Sequence, residues 1–260
     1  MSFRLKLAQS AGELNGVTER LTWLESQLKT HSTNCDLILL PEGFAQGYNI
    51  PNDIADVAER ADGATAKHIA KLAKRHNTAI LYGYSERDGD TVYNSAQCID
   101  ALGKSIANHR KLMLPPGFEQ EHYTPGTTAT IFDFKGIKCA ILICYDIEFP
   151  ETLRHLADQG VQCVLAPTAL GADWGVVSER TAPARAFENG IYMAYANSAG
   201  TENGAAYFGG SCIVGPNGQD IARAGDTPCV ITAVINADAV TTAQTRLPYL
   251  TARRSLPWAN

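Results

Sequence analysis

Apolar and polar residues fall into short blocks of two different periods along this 260-residue chain. Segments that alternate, or that run as β-branched apolar stretches, occupy 3 to 9, 35 to 41, 78 to 85, 92 to 100, 104 to 112, 128 to 134, 139 to 146, 162 to 169, 191 to 199, 210 to 216 and 229 to 236, which predicts about eleven strands. Several, such as CDLILLP and CAILICYD, are almost continuously apolar, the pattern of a strand covered on both faces. Helical spacing predicts helices over 15 to 31 (with Leu21, Leu24 and Leu28 on one face), 51 to 61, 64 to 77, 149 to 160, 176 to 190 and 237 to 254. Gly160 and Gly190 stand where two of these would stop.

Strands and helices interleave, so the class is α/β, but 78 to 112 reads as strand throughout. A mixed sheet, or two sheets face to face with helices outside, accommodates that run better than a simple doubly wound sheet. No segment reads as a linker, an internal repeat or a low-complexity stretch. A single domain over 1–260 is therefore expected, ahead of two small ones.

Composition narrows the partners. Apolar residues make up 45% of the chain and charged residues 19%, ample for a sizeable core. With a net charge of −5 and no Lys/Arg-rich run, nucleic acid is not an expected partner. The first residues alternate like a strand, and no run of about 18 apolar residues occurs, so no membrane association and a cytoplasmic location are expected. The seven cysteines are odd in number and include no CxxC pair, which argues against a disulfide framework and against zinc. Gly103-Lys104-Ser105 is not a phosphate loop, because Cys98 stands where its first glycine is needed, and no GxGxxG follows a strand.

Candidate chemistry lies at the ends of strands. Cys144 closes the predicted strand 139 to 146 just before a helix, where α/β proteins place their sites. A thiol with an ordinary pKa near 8.5 needs a base or cation to act as a nucleophile, and no histidine stands at a comparable position. Carboxylate and lysine do. Glu42 follows CDLILLP, Lys111 ends ANHRKL, and Glu119 lies in the loop GFEQEHYTPG. Each alone could be a packed thiol, a loop acid or a surface charge.

In order along the chain, LILLPEGF, HRKLMLP and ILICYDIEFPE strongly resemble the nitrilase (carbon-nitrogen hydrolase) superfamily, whose catalytic Glu, Lys and Cys lie on those three segments. YNSAQCID, YTPG, LAPTA, the RAFEN run, GGSCIVGPNG and RLPYLTARR also look like family segments in family order, so the resemblance covers nearly the whole chain. It implies a four-layer αββα sandwich with Cys144 as nucleophile, Glu42 as general base and Lys111 as the cation that stabilises the oxyanion. It further implies the backbone N–H of Tyr145 as second oxyanion donor, and Glu119 as a second carboxylate orienting Lys111 and the substrate amide, with Glu121 the competing choice. Neither a cofactor nor a metal is implied. Family relatives are usually dimers or larger, joined through helices near 149 to 160 and 176 to 190, so a homodimer or higher homo-oligomer is expected. Leu153, Leu156 and Ala157 give the first of these an apolar stripe that could equally face its own sheet.

The block CYDIEFPE is most similar to bacterial amidases of aliphatic or stereoselective type, which hydrolyse a primary amide to acid and ammonia. An N-carbamoyl hydrolase, an ω-amidase or a nitrilase would use the same triad. Relatives acting on ω-amides or deaminated glutathione tend to carry arginine where Glu148 stands, which counts against those two readings. Tyr48, Phe118, Thr168, Ala169, Leu170 and Trp174 lie on loops near the catalytic stretches and are the candidate pocket residues. A non-catalytic relative that binds a small amide or a protein is the alternative of a different class.

Overall fold

A computed structural model describes residues 1–50 and 52–257. Among these residues the first half forms β1 (Ser2–Gln9), α1 (Gly16–His31), β2 (Leu37–Leu39), α2 (Ile54–Val57), α3 (Ala64–His76), β3 (Ala79–Asp88), β4 (Thr91–Ile99) and β5 (Ser105–Arg110). The chain continues through α4 (Phe118–His122), β6 (Thr130–Phe134), β7 (Ile137–Ile141), α5 (Pro150–Asp158), β8 (Cys163–Pro167), α6 (Ala182–Asn189) and β9 (Tyr192–Ala196). It ends with β10 (Ala199–Glu202), β11 (Ala205–Phe208), β12 (Cys212–Val214), β13 (Asp220–Arg223), β14 (Cys229–Asn236), α7 (Ala237–Arg246) and α8 (Tyr249–Ala252).

Two six-stranded sheets result, ordered β14-β1-β2-β3-β4-β5 and β6-β7-β8-β9-β12-β13, with β10 and β11 forming a separate hairpin. Read in those orders, both sheets pair their strands antiparallel, parallel, parallel, antiparallel, antiparallel. The two halves thus share a topology that no sequence repeat announces.

The alternation within strands explains the layers. In β2, Leu37 and Leu39 face the other sheet, while Ile38 turns outward to Leu21, Leu24 and Leu28 of α1 and to Ile69 and Leu72 of α3. In β8, Cys163 and Leu165 face inward, and Val164 and Ala166 meet Leu153, Leu156 and Ala157 of α5 and Ala186 of α6. Both faces of these central strands are therefore buried, as their continuous apolar runs predict. The architecture is the expected four-layer αββα sandwich, and the Leu153, Leu156, Ala157 stripe is spent on its own sheet. Among the described residues no helix is long and apolar enough to cross a membrane.

Four local expectations need correction. The strand predicted over 139 to 146 ends at Ile141, and Cys144 begins a 3-10 helix, Cys144–Glu148. The helix predicted over 51 to 61, whose first residue lies outside the described residues, contracts to Ile54–Val57, because Glu59 is drawn into main-chain bonds with Ser85 and Arg87 of β3. The helix predicted over 237 to 254 breaks at Leu247, since a residue before proline disfavours the helical region. The loop holding Glu119 contains a helical turn, α4, and the short strands β10, β11 and β13 were too glycine-rich or brief to stand out.

Candidate active site

The carboxyl ends of β2, β5, β7 and β8 converge, and each delivers one part of a buried cluster. Pro41 and Glu42 leave β2 and cross β3 at Gly83, where a Cβ would lie 2.5 Å from Gly43 N and 2.7 Å from Glu42 Cα. Only glycine admits so close an approach of two main chains. The Glu42 amide donates to the Thr168 carbonyl (3.3 Å), and the Ala169 amide returns a bond to Glu42 Oε2 (2.9 Å), so the turn after β8 holds both ends of this residue.

Lys111 leaves β5 with its amide donating to Asn94 O (2.8 Å) and its carbonyl accepting from Gly126 N (2.7 Å). Its Nζ donates to Glu42 Oε1 at 2.7 Å and to Glu119 Oε1 and Oε2 at 2.6 and 2.9 Å. Asn94 Nδ2 donates to Glu42 Oε1 (2.7 Å) and Glu119 Oε2 (3.1 Å), and Tyr48 Oη donates to Glu119 Oε1 (2.6 Å). Glu42, Lys111 and Glu119 are 2%, 0% and 1% exposed. Burying three charges is tolerable only when each is paired and hydrogen-bonded, and here every carboxylate oxygen has a donor.

Cys144 sits at the head of its 3-10 helix with φ +43, a left-handed conformation that a residue bearing a Cβ adopts only when its surroundings enforce it. What enforces it is Asp146. Its Oδ2 accepts from Ile143 N (2.9 Å), just before the cysteine, and its Oδ1 accepts from Leu112 N (3.1 Å) and Met113 N (2.8 Å), just after Lys111. His109 Nε2 lies 3.3 Å from Oδ2. One buried carboxylate thus ties the turn bearing the thiol to the turn bearing the ammonium. The Tyr145 amide lies in the first turn of the 3-10 helix, where N–H groups lack partners within the helix.

Burial, together with the Glu119 charge, pushes Glu42 up to about 7 although Lys111 opposes the shift. Burial alone would lower the Lys111 pKa, but Glu42 and Glu119 outweigh it and hold the ammonium above its ordinary range. Burial and then the Glu42 carboxylate push the Cys144 thiol well up, against a smaller opposing effect from Lys111 and the Ala169 amide. The resting arrangement is therefore a neutral thiol beside a carboxylate whose pKa is near neutrality, with one fixed cation. Such a carboxylate is placed to take the thiol's proton as a substrate is attacked and to hand it on afterwards.

The structure brings together Glu42, Lys111, Glu119 and Tyr48, with the Phe118 ring edge-on to Tyr48 at 5.2 Å. Glu121, the alternative to Glu119, is exposed. Ala169 contributes its amide rather than its side chain, and Thr168 its carbonyl, the Thr168 hydroxyl being turned onto Ala166 O. Of the other expected pocket residues, Leu170 is buried among the apolar residues between the second sheet and its helices, and Trp174 is 65% exposed. Two residues that the sequence did not single out belong to the site: Asn94, which bridges both carboxylates, and Asp146. Asn94 lies in the family-like segment YNSAQCID, but its role as a bridge between the two carboxylates shows only in the structure.

Comparison with known proteins gives a consistent picture. A family model for carbon-nitrogen hydrolases matches residues 7–245. A hydrolase from the region 5′ of pqqF in Pseudomonas protegens is 40% identical over 231 residues, 88% of this chain and 81% of that protein. An (R)-stereoselective amidase from a Pseudomonas species is 29% identical over 252 residues, 96% of this chain and 91% of that protein. The solved structure of a nitrilase-superfamily amidase from Nesterenkonia sp. AN1 superposes with a TM-score of 0.84 at 30% identity, covering 95% of each chain. Other structures of that amidase hold butyramide, or acrylamide added to the active-site cysteine.

Proposed function

The chain belongs to the carbon-nitrogen hydrolase family, and from that premise we propose that it hydrolyses a small primary carboxamide to the carboxylic acid and ammonia through a thioester on Cys144. The observation that carries this reading is the buried Lys111 ammonium, bonded to both Glu42 and Glu119 at the end of the sandwich where Cys144 is held at positive φ. Butyramide bound to the Nesterenkonia amidase supports a short acyl chain.

Glu42 accepts the Cys144 proton as sulfur attacks the carbonyl carbon, and the developing oxyanion is met by Lys111 and the Tyr145 amide. Collapse breaks the C–N bond, Glu42 returns the proton to the departing nitrogen, and ammonia leaves. Water then loses a proton to Glu42 while attacking the thioester; collapse breaks the C–S bond, Glu42 returns that proton to the thiolate, and the acid leaves. No histidine is needed, because a single carboxylate with a pKa near neutrality serves all four transfers. Glu119, fastened by Tyr48 and Asn94, fixes the Lys111 ammonium. Glu148 stands where relatives acting on ω-amides tend to carry arginine, which counts against acyl groups that carry a second carboxylate.

The test is ammonia release over matched amides, N-carbamoyl compounds and nitriles of graded size, with Cys144→Ala beside the parent. Turnover of amides by the parent and none by the variant, with unchanged circular dichroism, is the expected result. Amide turnover by Cys144→Ala at the parent's rate would end the thioester mechanism, and turnover of nitriles or carbamoyl compounds alone would overturn the substrate class.

A further inference from the structure

Outside the catalytic cluster, the most densely bonded buried carboxylate is that of Glu202, at the end of β10 in the hairpin that belongs to neither main sheet. Its Oε1 accepts from Arg20 Nη2 of α1, and the two side chains are 6% and 4% exposed. Its Oε2 accepts from the amides of Tyr48 (3.0 Å) and Asn49 (2.8 Å) and from the Tyr207 hydroxyl. Asn49 Nδ2 donates to the carbonyls of Glu202 (3.0 Å) and Asn203 (3.3 Å), and Asn203 Nδ2 answers to Asn49 O (2.9 Å). The loop comes so near that a Cβ at Gly47, where φ is +115, would lie 2.8 Å from Glu202 Oε1.

A buried carboxylate accepting two consecutive main-chain amides fixes the direction of the residue between them. That residue is Tyr48, whose hydroxyl donates to Glu119 Oε1 at 2.6 Å, and Glu119 in turn holds Lys111. The other strand of the hairpin grips the opposite side of the site: Phe208 N donates to Leu170 O (2.9 Å), and Gly171 bridges to Tyr207, directly after the Ala169 amide that holds Glu42.

We infer that Glu202 is a positioning residue for catalysis, and that the β10–β11 hairpin is a bracket that sets Tyr48 on Glu119 and so places the Lys111 ammonium. The inference rests on the amidase reading given above. If that reading fails, the parent shows no amide turnover; if only this inference fails, the parent is active and the variants alone report it.

The experiment is a double-mutant cycle of Glu202→Gln and Tyr48→Phe, with kcat and KM determined per Cys144 that alkylates. A hydrogen bond to a charged group supports a loss of about 10- to 100-fold in kcat for Tyr48→Phe. Glu202→Gln should lose about tenfold in kcat with KM changed less, and the double variant should fall within about threefold of Tyr48→Phe alone, because both act through one contact. A Glu202→Gln protein with parental kcat, or losses that multiply in the double variant, would overturn the inference. Since glutamine leaves Arg20 buried without its countercharge, Tyr207→Phe provides a milder variant in which Arg20 stays paired. It should lower kcat about threefold, again only when Tyr48 is present, and an equal loss on the Tyr48→Phe background would count against the bracket.

Discussion

Asp146→Asn separates the stability of the sandwich from the alignment of its site. In the parent, Oδ1 serves Leu112 N and Met113 N while Oδ2 serves Ile143 N. An amide keeps one acceptor oxygen, so whichever side it satisfies, its NH2 group faces a main-chain N–H on the other. The loss is one charge-assisted bond, about 1.5–3 kcal/mol, plus part of the roughly 1–3 kcal/mol for a buried donor left unmet. A net cost of about 3 kcal/mol follows. At about 2–4 °C per kcal/mol for a chain near this size, the melting temperature should fall by about 6–12 °C, which a protein of ordinary stability survives at assay temperature. Turnover should fall further than stability alone dictates. Asp146 ties the turn before Cys144 to the turn after Lys111 only while both of its oxygens accept, so losing the bond on either side loosens that tie, and a misplacement of about 1 Å at reacting groups costs on the order of 100-fold. Thermal melts by circular dichroism and kcat per alkylatable Cys144 measure the two effects independently. A variant that melts early yet turns over within about threefold of the parent would show that Asp146 stabilises the fold without aligning the site. A variant that changes in neither respect would refute the bonding scheme itself.

Glu42 binds its proton more tightly in the folded protein, near 7, than at its ordinary value of 4.5. Its contribution to stability is therefore fully present below pH 4.5 and is lost as the pH rises through about 7; Glu42→Gln should flatten the melting temperature across that window, whereas an unchanged profile would place the ionisation elsewhere. In the parent, kcat/KM should rise through neutrality as this base ionises, and a rate constant flat from about pH 5 to 9 would contradict its role. Asn94→Ala removes one bond to each carboxylate and should lower kcat about 10- to 100-fold in steady-state assays; parental kcat would show that Lys111 alone holds the pair.

The sequence made Glu42, Lys111 and Cys144 visible because each stands at the end of a strand block, apolar for Glu42 and Cys144, and because the three blocks occur in one recognisable order. It also carried the layers, since Leu37 and Leu39 against Ile38, or Leu165 against Val164, follow from a two-residue period in strands buried on both faces. Bonds made across the fold were hidden. Asn94 reaches Glu42 across 52 positions, Asp146 reaches the amide of Leu112 across 34, and Glu202 reaches Tyr48 across 154, so none leaves a mark in its own neighbourhood. The backbone of Cys144 differs from the expected strand for a related reason: CAILICYD has strand composition to its end, and it is the bonds of Asp146, to Ile143 within the turn and to Leu112 and Met113 across the fold, that bend its last residues into a turn.

The first sheet has its edge position beside β1 filled by β14, paired antiparallel from Ser2 opposite Asn236 to Gln9 opposite Cys229. A growing polypeptide therefore presents β1 to its surroundings with one row of main-chain donors and acceptors open until more than two hundred further residues have been made. An open strand edge invites pairing with foreign strands, and long-range pairing is slow to form. Pairing of β1 with a foreign strand is accordingly a hazard confined to synthesis, and activity should appear only after the strand ending at Asn236 has cleared the exit tunnel.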